Sequence, residues 1–217
     1  MGDKTYRLFV FDFDGTLANS GDCVIASFAG ALDNAGLPAV DPALIVAHMG
    51  RSLPEVFREV TRGVHDDTRI DQLVADYRAI YRRLLPEKTK TFPGIDTALK
   101  HLTATGAVAT VATSKKTEFA IISARHLGID DHITLYIGDN LVTNKKPHPE
   151  MLERTLAETG IAPGAAVMIG DATDIEMGQA IGMDTIAVTW GAHPLNQLHA
   201  AAPTHIIDTA AELRRFT

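Results

Sequence analysis

A chain of 217 residues with a formal net charge of −7 and a pI near 5.7 carries too few basic residues, too scattered, to make a nucleic-acid or anionic-membrane surface. Its single cysteine, Cys23, excludes an internal disulfide and fits a reducing compartment; it lies in an apolar stretch and reads as buried packing. There is no N-terminal signal pattern and no apolar run of membrane-spanning length, so the expectation is a soluble cytoplasmic protein with enough apolar residues for a proper core.

The first predicted element, residues 7–12, has the length and composition of a buried parallel strand. It runs into Asp12-Phe13-Asp14-Gly15-Thr16-Leu17. In open α/β sheets ligands bind outside the carboxyl ends of the strands, which puts Asp12 and Asp14 at the mouth of a site. Carboxylates this close repel one another unless a cation neutralises them, and Mg2+ is the usual oxygen-liganded choice.

From about residue 20 to residue 88 the pattern is helical. Cys23 to Ala35 has helical spacing and stops at Gly36. Asp41-Pro42 supplies an N-cap and a first-turn proline. Ser52-Leu53-Pro54-Glu55 spells a capping box, and residues 67–85 form a long amphipathic helix. Gly50-Arg51-Ser52 falls between two short helices, where Arg51 could clamp a carboxylate or a second phosphate.

After Phe92-Pro93-Gly94 strands and helices alternate. Strands are expected at 107–113, 134–137, 166–169 and 185–188, with an edge strand at 204–207; helices are expected at 117–127, 149–159 and 175–181. Such alternation means a parallel sheet with helices on both faces. Residues 1–19 and 89–217 then make one α/β core domain, and residues 20–88 a helical insertion placed to cover the site as a lid.

Three further segments sit at strand ends. Thr113-Ser114-Lys115 offers hydroxyls and backbone amides at a helix start, a phosphate cradle. Lys146, between Lys145 and Pro147 in a loop with a second proline at 149, is a point positive charge suited to a phosphoryl group. Ile169-Gly170-Asp171-Ala172-Thr173-Asp174 repeats the logic of the first motif and supplies a further metal carboxylate. His48, His65, His126, His132, His193 and His199 show no metal-ligand spacing and read as surface or boundary residues; Trp190 reads as packing.

On Asp12-Phe13-Asp14-Gly15-Thr16, Thr113, the Lys-Pro-His-Pro beginning at Lys146, and Gly170-Asp171, the chain resembles the haloacid dehalogenase-like hydrolase superfamily. Within it, the subgroup with an α-helical cap, which includes phosphoglycolate phosphatases and β-phosphoglucomutases, is the most similar, and the resemblance covers essentially the whole chain. It implies a Rossmann-like core with strand order 3-2-1-4-5. It implies Asp12 as nucleophile, Asp14 as general acid and base, Thr113 as the phosphate-binding hydroxyl and Lys146 as the phosphate lysine. Mg2+ would be held by Asp12, the Asp14 backbone carbonyl and Asp171, and Thr16, Ser114 and Arg51 are taken as substrate-binding. The expected activity is Mg2+-dependent hydrolysis of a small phosphorylated, phosphoglycolate-like metabolite through an aspartyl phosphate, by a monomer or homodimer.

One departure stands out. The family pattern places three residues between the two acids of the last motif, whereas only Ala172 and Thr173 separate Asp171 from Asp174. In a helix one missing residue rotates the second acid by roughly 100°, whereas a shorter loop would absorb the deletion; Asp174 is not expected to ligate the metal directly. Within the superfamily, Asp14 argues against a dehalogenase, and the lack of any lysine between Lys4 and Lys88 argues against a phosphonatase. A phosphoglucomutase-like isomerase and a pyrophosphatase share the core motifs. A non-catalytic phosphate-binding protein would not need the full set.

Overall fold

The computed structural model describes residues 4–63 and 65–217. The first strand, β1 (Leu8–Phe11), is buried along its whole length and pairs in parallel with strands on both sides. These are β4 (Val108–Thr113) and β6 (Ala166–Gly170). Outside them lie β5 (Leu135–Gly138), β7 (Asp184–Val188) and β8 (His205–Ile207). The order of the six-stranded sheet is β5-β4-β1-β6-β7-β8, with every neighbouring pair parallel. This is the expected 3-2-1-4-5 with the edge strand added as a sixth. The chain leaves β1 toward β4 and later returns to its other side as β6, so the strand order reverses at β1, and the crevice for a ligand opens there.

The period of two along the strands divides the core. Phe9 and Phe11 join Val111, Val167, Ile169 and Ile186 on one face, against helix α5 (Ile95–Ala104) and the C-terminal Leu213 and Phe216. Leu8 and Val10 join Ala112, Ile137 and Met168 on the other, against α7 (Glu150–Thr159) and α8 (Ala172–Gln179). Helix α6 (Thr117–His126) follows β4, and α9 (Leu195–Ala200) precedes β8.

Between β1 and α5 lie α1 (Gly21–Asn34), α2 (Pro42–Ala47), α3 (Leu53–Val60) and α4 (Asp67–Lys88). They bury a hydrophobic cluster of their own. Its centre is aromatic: the Phe28 ring lies 4.6 Å from Phe57 and 4.8 Å from Tyr77. The predicted cap is formed at Asp41, and at Ser52 the Glu55 half of the box. Asp41 accepts from the Ala43 amide at 2.9 Å, and Glu55 accepts from the Ser52 amide at 3.1 Å and the Ser52 hydroxyl at 2.7 Å; such caps contribute about 0.5–2 kcal/mol each. The chain enters and leaves this block through an antiparallel ribbon, β2 (Ala18–Asn19) with β3 (Lys90–Thr91). Among the described residues no helix is long and apolar enough to cross a membrane.

Candidate active site

Asp12 is the first residue past β1, and its amide donates to the Ile169 carbonyl at 2.9 Å, so it extends the sheet by one more bond toward β6. Its side chain is buried, 3% exposed as a residue. Lys146 comes from the loop between β5 and α7, where the Lys146–Pro147 peptide is cis. Its ammonium donates to Asp12 Oδ1 at 2.8 Å and to Asp174 Oδ1 at 2.6 Å, with all three side chains almost wholly buried. Burial pushes the Asp12 carboxyl up to about 6; Lys146 pulls against that rise and Asp174 adds to it. Burial also raises Asp174, again opposed by Lys146. Burial by itself would lower the Lys146 ammonium, but Asp12 and Asp174 together more than offset it, and Lys146 is held charged.

The shortened last motif resolves into a helix cap. Asp171 is the N-cap of α8, and its Oδ1 accepts from the Thr173 amide at 2.8 Å. Asp174, three residues on, accepts from the Asp171 amide through Oδ2 at 2.9 Å. The reciprocal N-cap and N3 pairing requires two intervening residues, the number present here. It leaves Asp174 Oδ1 for Lys146, so neither oxygen of Asp174 is without a partner. Gly170 makes room for this: a Cβ there would lie 2.0 Å from Asp174 Oδ2. The second acid of the motif therefore sits inside the charged cluster as the second anchor of Lys146.

Asp14 is half-buried. Its Oδ1 accepts from the Ser20 hydroxyl at 2.6 Å, and its Oδ2 pairs with Lys115 at 2.9 Å. The Lys115 ammonium also lies 4.0 Å from the centre of the Tyr81 ring, which α4 contributes. Burial would lower Lys115, but Asp14 and the two tyrosines outweigh it and keep it charged. Lys115 is the main residue that sequence reasoning missed. Its signal was its place beside Thr113 and Ser114 at the end of β4; its partners, Asp14 and Tyr81, lie far from it in sequence. His193 was also missed. It follows β7, with Nδ1 3.7 Å from Asp171 Oδ2 and 3.4 Å from the Ala172 amide.

The remaining candidates fall in three places. Thr113 is buried at the end of β4, and its hydroxyl accepts from the Lys115 amide at 3.2 Å. The Ser114 hydroxyl donates to the Gly50 carbonyl, so it joins the core to the helical block. Arg51 is exposed and its Nη1 lies 3.1 Å from His48 Nδ1. Thr16 takes a different position from that expected. It is buried under the turn, its carbonyl accepts from Trp190 Nε1 at 3.1 Å, and it does not line the pocket. Trp190 packs beside Phe92, as a structural residue.

The pocket lies between sheet and helical block, with a volume of about 70 Å³. Asp12, Asp14 and Thr113 form its floor, and Phe28, Met49, Tyr77 and Tyr81 face them from the helical block. Asp12 and Asp171 are oxygen donors whose charged forms burial disfavours, and the Asp12 charge raises Asp171 further. That is the electrostatic setting a divalent cation relieves. Among the described residues no three Asp, Glu, His or Cys side chains close round one point. Asp12 and Asp171 are hard oxygen donors of the kind Mg2+ takes, one or two carboxylates beside waters and substrate oxygens.

With this geometry in view, comparison with known proteins defines the class. Residues 9–188 match the family described as haloacid dehalogenase-like hydrolase. The chain belongs to that family. It is 34% identical over 209 residues to a protein named "Probable phosphatase IndB" from Dickeya dadantii, covering 95% of this chain and 91% of the relative. It is 32% identical to a phosphoglycolate phosphatase from Yersinia pestis, covering 93% and 88%. The crystal structure of a haloacid dehalogenase-like hydrolase from Bacteroides fragilis superposes with a TM-score of 0.88 at 27% identity, covering 96% of this chain and 100% of that one.

Proposed function

We propose that the protein is a phosphatase that hydrolyses small phosphorylated metabolites through an aspartyl phosphate on Asp12, with Mg2+ as its metal. The observation that carries this reading is the buried Asp12–Lys146–Asp174 cluster at the end of the central strand, beside a pocket roofed by the helical block. The phosphatase names borne by relatives support it.

A phosphoryl group entering the pocket meets Asp12 as nucleophile. An Asp12 carboxylate oxygen forms the new bond to phosphorus while the ester P–O bond breaks, and the leaving oxygen takes a proton from the Asp14 carboxyl. Water then attacks the aspartyl phosphate, gives its proton to Asp14, and free phosphate and the Asp12 carboxylate are restored. Lys146 and the Thr113 hydroxyl neutralise and orient the phosphoryl oxygens. Asp174 keeps Lys146 in place and charged. Asp14 starts out engaged by Ser20 and Lys115, and must exchange one of them for the leaving oxygen. Asp12, Asp171 and the Asp14 carbonyl are the residues that would hold Mg2+, which when bound offsets the negative charge of the transferring group.

Residues 20–88 act in this reading as a cap that selects the leaving group, because the core motifs touch only the phosphoryl group that all candidates share. Phosphoglycolate is the reference substrate. The unpaired, buried Cys23 suits a reducing compartment, and we assign the activity to the cytoplasm. Release of phosphate from p-nitrophenyl phosphate with Mg2+, and its loss in Asp12→Asn, tests the reading. Turnover of that variant within a few-fold of wild type would overturn it.

A further inference from the structure

Resting on the phosphatase reading, we propose that His193 is a positioning residue of the metal site. It completes the start of α8, so that Asp171 spends one carboxylate oxygen on the helix and keeps the other, Oδ2, for the cation.

The first observation is an account of backbone donors. A helix leaves its first four amides without partners of its own. At α8 these belong to Asp171, Ala172, Thr173 and Asp174. The Asp171 amide donates to Asp174 Oδ2 at 2.9 Å. The Thr173 and Asp174 amides donate to Asp171 Oδ1 at 2.8 and 3.4 Å. The Ala172 amide donates to His193 Nδ1 at 3.4 Å. Among the described residues, His193 is thus the one partner of these amides that comes from outside the helix. With the ring removed, the Ala172 amide is left without a protein acceptor, beside a carboxylate that can turn to serve it.

The second observation is the unequal use of the two Asp171 oxygens. Oδ1 takes both amides, whereas among the described residues no hydrogen bond reaches Oδ2, which lies 3.7 Å from His193 Nδ1. A ring nitrogen that accepts has no proton to give, so the ring proton is on Nε2 and Nδ1 does not compete with a cation for Oδ2. A carboxylate oxygen left free in this way is what an oxygen-liganded cation takes.

The third observation is that the loop carrying the ring is itself fastened. Residues 189–193 leave β7 and cross the turn that follows Asp14. The Thr189 amide donates to the Ile207 carbonyl at 3.1 Å, and its hydroxyl donates to Asp208 at 2.7 Å. Trp190 Nε1 donates to the Thr16 carbonyl at 3.1 Å. Gly191 passes so close to Gly15 that a Cβ on it would lie 2.7 Å from the Gly15 carbonyl oxygen. His193 then reaches α8 with its side chain only 11% exposed. One loop therefore touches both acid-bearing turns and delivers the ring to a fixed place.

The test is metal binding by the intact protein, stripped with EDTA and then titrated with Mg2+ by calorimetry and with Mn2+ by electron paramagnetic resonance. His193→Ala should weaken both ions by about tenfold or more, as expected for a group that orients a metal ligand. The Mg2+ needed for half-maximal turnover of p-nitrophenyl phosphate should rise by a similar factor, and by more than kcat falls. His193→Phe keeps a ring and removes the acceptor, so it should behave alike and preserves the comparison if His193→Ala does not fold. His193→Gln, whose side-chain carbonyl accepts from an amide, should recover most of the affinity. Unchanged affinity in His193→Ala or His193→Phe, whatever the change in Tm, would overturn the inference and leave His193 a helix cap. Equal losses in His193→Phe and His193→Gln would overturn it too. Failure of the phosphatase reading looks different: wild type would bind Mg2+ with an affinity that depends on His193 and release no phosphate from any ester.

Discussion

The sheet end and the helical block do their work by opposite means. At the sheet end the charged groups are fixed by main chain and by one another: Asp12 follows the bond of its amide to Ile169, Asp171 and Asp174 are held by the start of α8, and Lys146 by two carboxylates. The helical block has its own aromatic core and meets the sheet through few polar contacts, chiefly Ser114 to Gly50 and Lys115 to Tyr81. Its attachment is a ribbon with strands of two residues each. On the proposed reading, catalysis belongs to the sheet end and selection of the leaving group to the helical block.

The largest effect should come from the sheet end. Asp12→Asn is expected to keep its fold by circular dichroism and to lose at least about a thousandfold in kcat on every substrate. Removing Mg2+ with EDTA should abolish turnover of wild type, and added Mg2+ should restore it; full activity in the stripped protein would give the acids another role. Asp174→Ala separates positioning from chemistry. It leaves a buried ammonium with one partner fewer, which costs about 3–5 kcal/mol when a buried pair is broken. For a chain of this size each kcal/mol lowers Tm by about 2–4 °C, so thermal unfolding should shift by roughly ten degrees, with activity falling alongside. An unchanged Tm would show that Asp12 alone holds Lys146.

Changes in the helical block should be substrate-specific instead. Arg51→Ala should cost about ten- to a hundredfold in kcat/KM on a substrate with an anionic tail and little on p-nitrophenyl phosphate, as expected for one charge-assisted contact. Equal losses on both would make Arg51 a support of the fold, and the division between the two regions would blur.

The smallest effect concerns the loop that carries Lys146. The Glu150 carboxylate accepts from the Asn144 amide and the Thr143 amide, and these bonds hold it below its usual range. A carboxyl lowered on folding stabilises the fold above its unfolded value, and that contribution is lost as pH falls through the lowered one. The Tm difference between wild type and Glu150→Gln should therefore be present at neutral pH and vanish under strongly acidic conditions. A difference that persisted in acid would point to packing instead of charge.

The sheet was legible because its strands are short apolar runs: β1 runs into Asp12, β5 and β6 end in glycine, and β4 runs into Thr113-Ser114. The ribbon was not, since two-residue strands carry no period. Asp174 was legible as an acid but not in its direction: the spacing left a helical rotation and a shorter loop open, whereas α8 begins between the two acids and turns the shorter spacing into a cap. Thr16 was legible as a small hydroxyl after Asp-x-Asp-Gly, but not its burial or the bond of its carbonyl to Trp190 Nε1. Lys115 and His193 acquire their partners only when separate segments fold together, and spacing holds no trace of that.

Gly50 has a backbone φ of +92°, and a Cβ on it would lie 3.0 Å from Asp171 Oδ2. Its carbonyl receives the Ser114 hydroxyl. The helical block's side of this joint is bare main chain, met from the sheet by the Ser114 hydroxyl and the Asp171 carboxylate. Positions 49, 51 and 53 flank that joint and face the pocket. They are free to be exchanged for residues suited to another leaving group while the joint itself stays the same. The architecture lends itself to diversification: specificity can drift at the flanks while Gly50 and Ser114 keep the joint.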